Sequence, residues 1–367
     1  MPVLGEAQRL AWLRLIRSEN VGPRTFRDLV NHFGGAQAAI DALPELAARG
    51  GARKVRVCSL AEAEREMEAL ARLGGRFLAQ GEADYPLALA AADGAPPLVA
   101  VIGGADVVRR PALGIVGARN ASGAGRTFAE RLARAAGEAG YTVVSGLARG
   151  IDAAAHSGSL GTGTVAIYAG GLDKVYPPEH ADLARRIVAA GGALASEMPL
   201  GWSPRARDFP RRNRIVAGFS HAVVVVEAAL RSGSLITARF AADMGREVGA
   251  VPGSPLDPRA EGSNELLRDG AALIAKPDHL LQLLAGVHLP EPAPIVMAEP
   301  VAQDPDAPIP ETDRARILEL LSPVPTPIDD LVRHSGADAR TVQIVLLELD
   351  LAGRLERHAG GRVSLLP

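Results

Sequence analysis

The run Val223-Val224-Val225-Val226 is apolar on both parities. A strand with one wet face alternates apolar and polar residues, so a strand apolar on both faces belongs inside a sheet covered on both sides. That run therefore demands helices on two faces, and the surrounding sequence offers them. Short β-rich stretches at 113–117, 142–145, 165–169, 193–196, 222–227, 248–252 and 272–275 are each followed by a loop containing Gly or Ser. Most of those loops lead into a segment long enough for a helix. The alternation predicts right-handed βαβ units and an α/β fold.

The flanks read differently. Residues 1–70 predict short helices: Asn20-Val21-Gly22-Pro23-Arg24 interrupts two apolar-periodic runs, after which Phe26, Leu29, Val30 and Phe33 recur at helical spacing. This pattern fits a SAM-like or helix-hairpin-helix-like unit, and equally a plain helical packing domain. Residues 71–287 make the core, a Rossmann-like, mostly parallel sheet. Residues 288–311 carry seven prolines without apolar periodicity and are expected to be a linker. Beyond it, residues 312–367 offer three helices and a hairpin around Gly360-Gly361, the pattern of a winged helix. Its third helix carries Arg340 but also Glu348 and Asp350, a weakly basic face for a groove reader. Protein contact is a competing role for it.

Composition removes several function classes. Only Cys58 is available, which excludes an internal disulfide or a cysteine-rich zinc site. Charges interrupt every apolar stretch of residues 1–20, so no secretory signal is expected, and no apolar run reaches the roughly 18–20 residues of a membrane span; with the single cysteine, a reducing cytoplasmic location is expected. Net charge is −2, which says little about local patches. The positive charge is almost all arginine, with lysine only at 54, 174 and 276. Arginine's planar fork suits phosphate.

In a parallel sheet, ligands bind beyond the carboxyl ends of the strands, so the strand exits are the candidate site. The first exit, Gly117-Ala118-Arg119-Asn120-Ala121-Ser122-Gly123, opens a helix whose N-terminal amides are expected to make an anion site, with Arg119 and Ser122 beside it. It is not GxGxxG, and no acidic residue closes the next strand, so a dinucleotide is disfavoured. No cofactor and no metal are expected. The next exits contribute Ser145, Gly146 and Gly150; Lys174; and Ser232, Gly233, Ser234 and Thr237. So many small and hydroxyl-bearing loops on one rim exceed what a mononucleotide requires and suit an extended polyphosphate. The densest feature is residues 204–214, where five arginines oppose one aspartate and include Arg211, Arg212 and Arg214 around Asn213. One or two of these arginines are expected to pair with Glu197 or Glu227, the others to face nucleic acid. His156 lies in an Ala-rich helix without a nucleophile partner and is read as structural.

Taken together, GARNAS, SGLARGIDAAAH, GGLDKVYPPEH, SEMPLGWSPRARDFPRRNRIVAG, VVVEAALRSGSLITARFA and GREVGAVPGS resemble the DNA-processing protein A (DprA, or Smf) family across residues 75–285. The flanking modules fit that family's arrangement. The resemblance implies binding of incoming single-stranded DNA during natural transformation, protection from nucleases and loading of the RecA recombinase. It further implies homodimerisation through the core and no catalytic reaction. By motif position it places Arg119, Ser145, Gly146, Gly150, Asp152, Arg212, Asn213, Arg214, Ser232, Gly233, Ser234 and Thr237 in the family's DNA-contact loops. One departure is visible: His180 stands where the family commonly has asparagine. The enzymatic alternative is a LOG-like nucleotide phosphoribohydrolase, whose PGG-x-GT-x-x-E loop is not reproduced at 227–234.

Overall fold

The computed structural model describes residues 4–286, 309–358 and 360–366. The stretch expected to be a linker, 288–311, lies outside them apart from its last three residues. The chain opens with helices α1 (Glu6–Arg17), α2 (Pro23–Phe33), α3 (Ala36–Arg49) and α4 (Leu60–Arg72). Strands β1 (Gly75–Ala79) and β2 (Leu98–Gly103) then bracket α5 (Leu87–Ala90), and α6 (Ala105–Arg109) follows. The repeating part begins with β3 (Ala112–Gly117), α7 (Gly123–Glu138), β4 (Thr142–Ser145), α8 (Ile151–Gly158) and β5 (Thr164–Ile167). It continues through α9 (Ala181–Ala189), β6 (Ala193–Ser196), α10 (Asp208–Phe219), β7 (Ala222–Val226) and α11 (Gly233–Asp243). It closes with β8 (Glu247–Ala250), α12 (Glu261–Arg268), β9 (Ala272–Leu273) and α13 (Pro277–Ala285). The C-terminal elements are α14 (Glu311–Leu320), β10 (Thr326–Pro327), α15 (Ile328–Ser335), α16 (Ala339–Leu351), β11 (Leu355–His358) and β12 (Arg362–Leu365).

One sheet takes the order β1-β2-β6-β5-β4-β3-β7-β8-β9. From β6 to β9 every neighbouring pair is parallel. The valine run behaves as its pattern requires. Val223 and Val225 pack with Ile215 and Val216 of α10 and Ala238 of α11. Val224 and Val226 pack on the opposite face with Leu132 of α7, Ala155 of α8 and Leu280 of α13. All four valines are fully buried, each contributing about 1.5–3 kcal/mol by leaving water. The hairpin β1/β2 is the unanticipated part: it joins the sheet antiparallel along β6. Its strands precede the βα rhythm, and their pairing with a strand some ninety residues later is settled by sheet-edge geometry rather than by local pattern.

The chain divides into two compact units, one running from Glu66 through the sheet, the other joining Leu4–Arg65 to the C-terminal segment. In the second unit α14, α15 and α16 with the sheet β10-β12-β11 make the winged helix. One side of α16 packs in its core, Val345, Leu346 and Leu349 meeting Ile317, Leu331 and Val363. The other side packs on the N-terminal helices, Leu347 and Leu351 lying with Leu15, Phe26, Leu29 and Leu43. Asn20 Nδ2 donates to the Leu351 carbonyl (2.9 Å) and Thr25 Oγ1 to Asp350 Oδ2 (2.9 Å). Residues 345–349 are consequently buried without a break, so the C-terminal half of α16 is closed to a DNA groove.

Candidate nucleic-acid interface

The strand order reverses at β3: the chain leaves it toward β4, β5 and β6, then returns on its other side at β7. A crevice is forced open beyond the carboxyl ends at such a reversal. A cleft of about 830 Å³ lies there. Gly117, Arg119 and Asn120 enter it from the β3 exit, and Arg212 and Asn213 from α10. Arg231, Ser232, Gly233, Ser234 and Thr237 close it from the β7 exit and the first turn of α11. A smaller recess of about 40 Å³ shares Arg119, Phe209 and Arg212 and reaches Gly146 and Arg149.

Arg212 is the floor of this cleft. Its guanidinium lies directly against Gly146, where any Cβ would overlap it. Nη1 donates to the Ile167 carbonyl (2.9 Å), Asp152 lies within electrostatic reach, and among the described residues Nε has no partner. Burial, opposed by Asp152 and reinforced by Arg119, lowers the Arg212 pKa to about 10. Burial likewise raises that of Asp152, against the pull of Arg212 and the amides of Ala148 and Gly146. Both shifts run against the charged forms, so desolvation of this pair outweighs its attraction. A buried cation left short of counter-charge at the base of an open cleft favours an incoming anion.

Above it stand two aromatic rings. Tyr176 and Phe209 have centroids 5.2 Å apart at a 59° tilt, and both line the cleft. The Arg119 guanidinium carbon lies 5.4 Å from the Phe209 centroid, a cation–π arrangement. Sequence reading passed over these rings because two aromatics 33 residues apart carry no periodic signal; their proximity comes from the β5 exit loop meeting the start of α10. Asn120 and Arg231, carried by the exit loops, also line the cleft, as does Arg259, which no exit loop signalled and which Asp257 holds (2.8 Å).

The α7 N-terminus, expected to receive a ligand anion, is filled from within. Ser122 N donates to Glu227 Oε2 (2.8 Å), and Ser122 Oγ makes a short bond to Oε1 of the same carboxylate. Ser122 Oγ also accepts from Gly125 N (2.9 Å) as the N-cap. Glu227 reaches this position from left-handed backbone, φ 55°, a conformation costly for a residue with a side chain. The helix dipole is thus answered by a resident carboxylate. At α11 the capping groups are neutral instead: Ser232 Oγ lies 2.7 Å from Ser234 Oγ and accepts from Ser234 N (3.3 Å).

Several expected contacts fall away from the cleft. Ser122 lines a separate opening of about 630 Å³ on the α7 side. Ser145 is buried, its hydroxyl donating to the Ile115 carbonyl (2.6 Å). Gly150, with φ 76°, caps α8 against the Ala118 carbonyl. Lys174 sits outside the lining, near Asp173 (3.6 Å). Arg211 Nε bonds Glu197 Oε1 (3.1 Å), and Arg214 pairs closely with Oε2 of that carboxylate while donating to the Gly94 carbonyl (2.6 Å). One buried glutamate therefore draws two of the five arginines off the rim. His180 Nδ1 lies 2.8 Å from the Leu147 carbonyl, where the departure from the family pattern had been noted.

The fold and this cleft define a class: a Rossmann-like core with its first helix N-terminus self-occupied and a basic cleft at the strand reversal, in one chain with helical and winged-helix modules. Family models match in the same order, the DprA-like N-terminal HHH domain at 6–69, DNA recombination-mediator protein A at 76–285 and the DprA winged helix domain at 301–361. The chain belongs to the DNA-processing protein A (DprA/Smf) family. It is 40% identical to Protein Smf of Escherichia coli (strain K12) over 285 residues, 77% of this chain and 75% of that one. It is 30% identical to Protein Smf of Synechocystis over 395 residues, 98% of this chain and 99% of that one. The structure of DNA processing protein A from Streptococcus pneumoniae matches with a TM-score of 0.62 and 29% identity, over 79% of this chain and 100% of that one. That of DNA processing protein A from Helicobacter pylori matches at 0.53 with 27% identity, over 58% and 97%.

Proposed function

We propose that this chain binds single-stranded DNA in the cleft at the β3/β7 reversal, protects it there, and delivers it to the RecA recombinase during natural transformation. The observation that carries the reading is the pairing of an under-compensated arginine floor with an aromatic pair in one opening. Phosphates need the cations; unpaired bases need the rings, and base–aromatic stacking is available only to a strand whose bases are free. A duplex about 20 Å wide presents its bases stacked inside and cannot use them. The Helicobacter pylori relative is described as having a single-stranded DNA binding mode, and the reading extends that property to this chain. Cytoplasmic action, a homodimer formed through the core and hand-over to RecA belong to the same proposal. Among the described residues no helix is long and apolar enough to cross a membrane.

The test is fluorescence anisotropy with labelled single- and double-stranded oligonucleotides of one sequence across salt. Single-strand preference is expected, and Phe209→Ala should weaken it by about 1–3 kcal/mol, the contribution of one stacked base. Strand-indifferent binding, or a Phe209→Ala variant that discriminates as before, overturns the assignment. The RecA step is read separately, as faster filament nucleation on single strands when the protein is present; no acceleration removes that part alone.

A further inference from the structure

Outside the cleft, but continuous with it, the segment Trp202-Ser203-Pro204-Arg205-Ala206 holds a second flat surface. Pro204 and Ala206 line the cleft on either side of Arg205 in the chain. The Arg205 guanidinium carbon stands 4.8 Å from the centroid of the Trp202 indole. Asp208, itself buried, fixes both residues with one oxygen: Trp202 Nε1 donates to its Oδ2 (2.9 Å) and so does the Arg205 backbone N–H (2.8 Å). Asp208 is the first residue of α10, whose next residue, Phe209, is in the cleft. The same helix start therefore sets both aromatic positions.

Arg205 differs from Arg211, Arg212 and Arg214 in what it is spared. Glu197 engages Arg211 and Arg214, and Arg212 is buried with Asp152 nearby. Arg205 is exposed, and among the described residues its guanidinium pairs with no carboxylate. An arginine held over an indole offers its outer face as a weakly hydrated plane on which a base can stack, while its N–H edge remains open to phosphate. Asp208 fixes the indole and the Arg205 backbone beforehand, so only the arginine side chain is left to order on binding.

We infer that Trp202 and Arg205 form a second stacking station, taking a base of the single strand as it leaves the cleft. The inference rests on the single-stranded DNA reading above and adds length to it: oligonucleotides confined to the cleft do not reach the station, and longer ones do. The experiment uses the full chain and oligothymidylates of increasing length, from roughly 4 to 20 nucleotides. Arg205→Ala is the cleanest change, because the bond to Asp208 comes from the backbone N–H and survives it. It should leave the shortest bound oligonucleotides unaffected and weaken the longer ones about five-fold or more. Arg205→Lys keeps the charge without the plane, so it should keep the wild-type salt slope and still lose affinity for the longer oligonucleotides. In a Trp12→Phe background, where Trp202 is the remaining tryptophan, the longer oligonucleotides should change its emission and the shortest should not. An equal loss from Arg205→Ala at every length, full rescue by lysine, or Trp202 emission indifferent to length each overturns the station. A wild-type protein without single-strand preference at any length defeats the underlying reading as well.

Discussion

Replacing Arg119 and Arg231 together by alanine should flatten the salt dependence of single-strand binding by about 1.4 units in log–log slope. Both side chains are exposed and line the cleft, and among the described residues neither has a carboxylate in ion-pair contact. Each phosphate neutralised on a single strand contributes about 0.7 to the slope. Between 50 and 200 mM salt the double variant should therefore lose about seven-fold less affinity than the wild type. Arg211→Ala is the matched control. It lies in the densest arginine run, but Glu197 Oε1 is 3.1 Å from its Nε; because that one carboxylate also pairs with Arg214, the trio keeps a single positive charge, and Arg211→Ala should flatten the slope by less than about 0.7 units. Arg119→Ala also removes the cation–π contact with Phe209, about 0.5–1 kcal/mol. That contact is made in the free protein, so its loss bears on stability and on the placement of the Phe209 ring rather than on phosphate neutralisation, which is why slope is the quantity to read. The assay is anisotropy on one oligothymidylate at five or more salt concentrations. A double variant with the wild-type slope, or an Arg211→Ala variant that flattens it equally, would show that phosphates are held elsewhere.

Three further outcomes follow from particular residues. Gly233→Val should fold normally, because a Cβ there meets open space, yet weaken single-strand binding at unchanged slope by narrowing the cleft; a lower melting temperature would refute the premise, and unchanged affinity the conclusion. His156 is fully buried, its Nε2 without a partner among the described residues, and burial, reinforced by Arg212 and His180, lowers its pKa to about 3. The unfolded chain binds this proton below about pH 6.5 and the native state does not until about pH 3. Stability thus falls as pH drops through that window, by about 2 kcal/mol between pH 6.5 and 5. His156→Gln should remove that share in urea titrations, and an unaltered pH dependence would count against it. Deleting 295–367 should leave the sheet unit folded but strip the N-terminal helices of Leu347 and Leu351, at about 1.5–3 kcal/mol for each; hydrogen exchange in residues 4–65 should accelerate, and unaltered protection there would refute the shared core.

Much of the fold was legible because its signals are local. The valine run dictates a strand covered on both faces, the Gly/Ser loops mark each strand exit, and the order of β-rich and helical stretches fixes a parallel sheet with its rim at the carboxyl ends. Hydrophobic period and turn chemistry act over a few residues, so they can be read in one dimension. The motifs at 117–122, 145–152 and 232–237 were readable for the same reason, as small residues where backbone must approach closely.

What the sequence could not assign was ownership of charge. Arg211, Arg212 and Arg214 look alike in the chain, yet Glu197 takes the first and third while the second is buried beneath the cleft. Ser122 looked like a ligand group at a helix N-terminus, and Glu227, more than a hundred residues away, already fills that place. Tyr176 and Phe209 become a pair only when the β5 exit loop meets α10. An ion pair falls off with distance in space rather than along the chain, and a buried carboxylate must find a donor wherever packing puts one. Local pattern therefore determined the succession of βα units and which edge of the sheet offers a candidate site, whereas tertiary packing alone decided where the β1/β2 hairpin joins and which cations and rings on that edge remain available to a ligand.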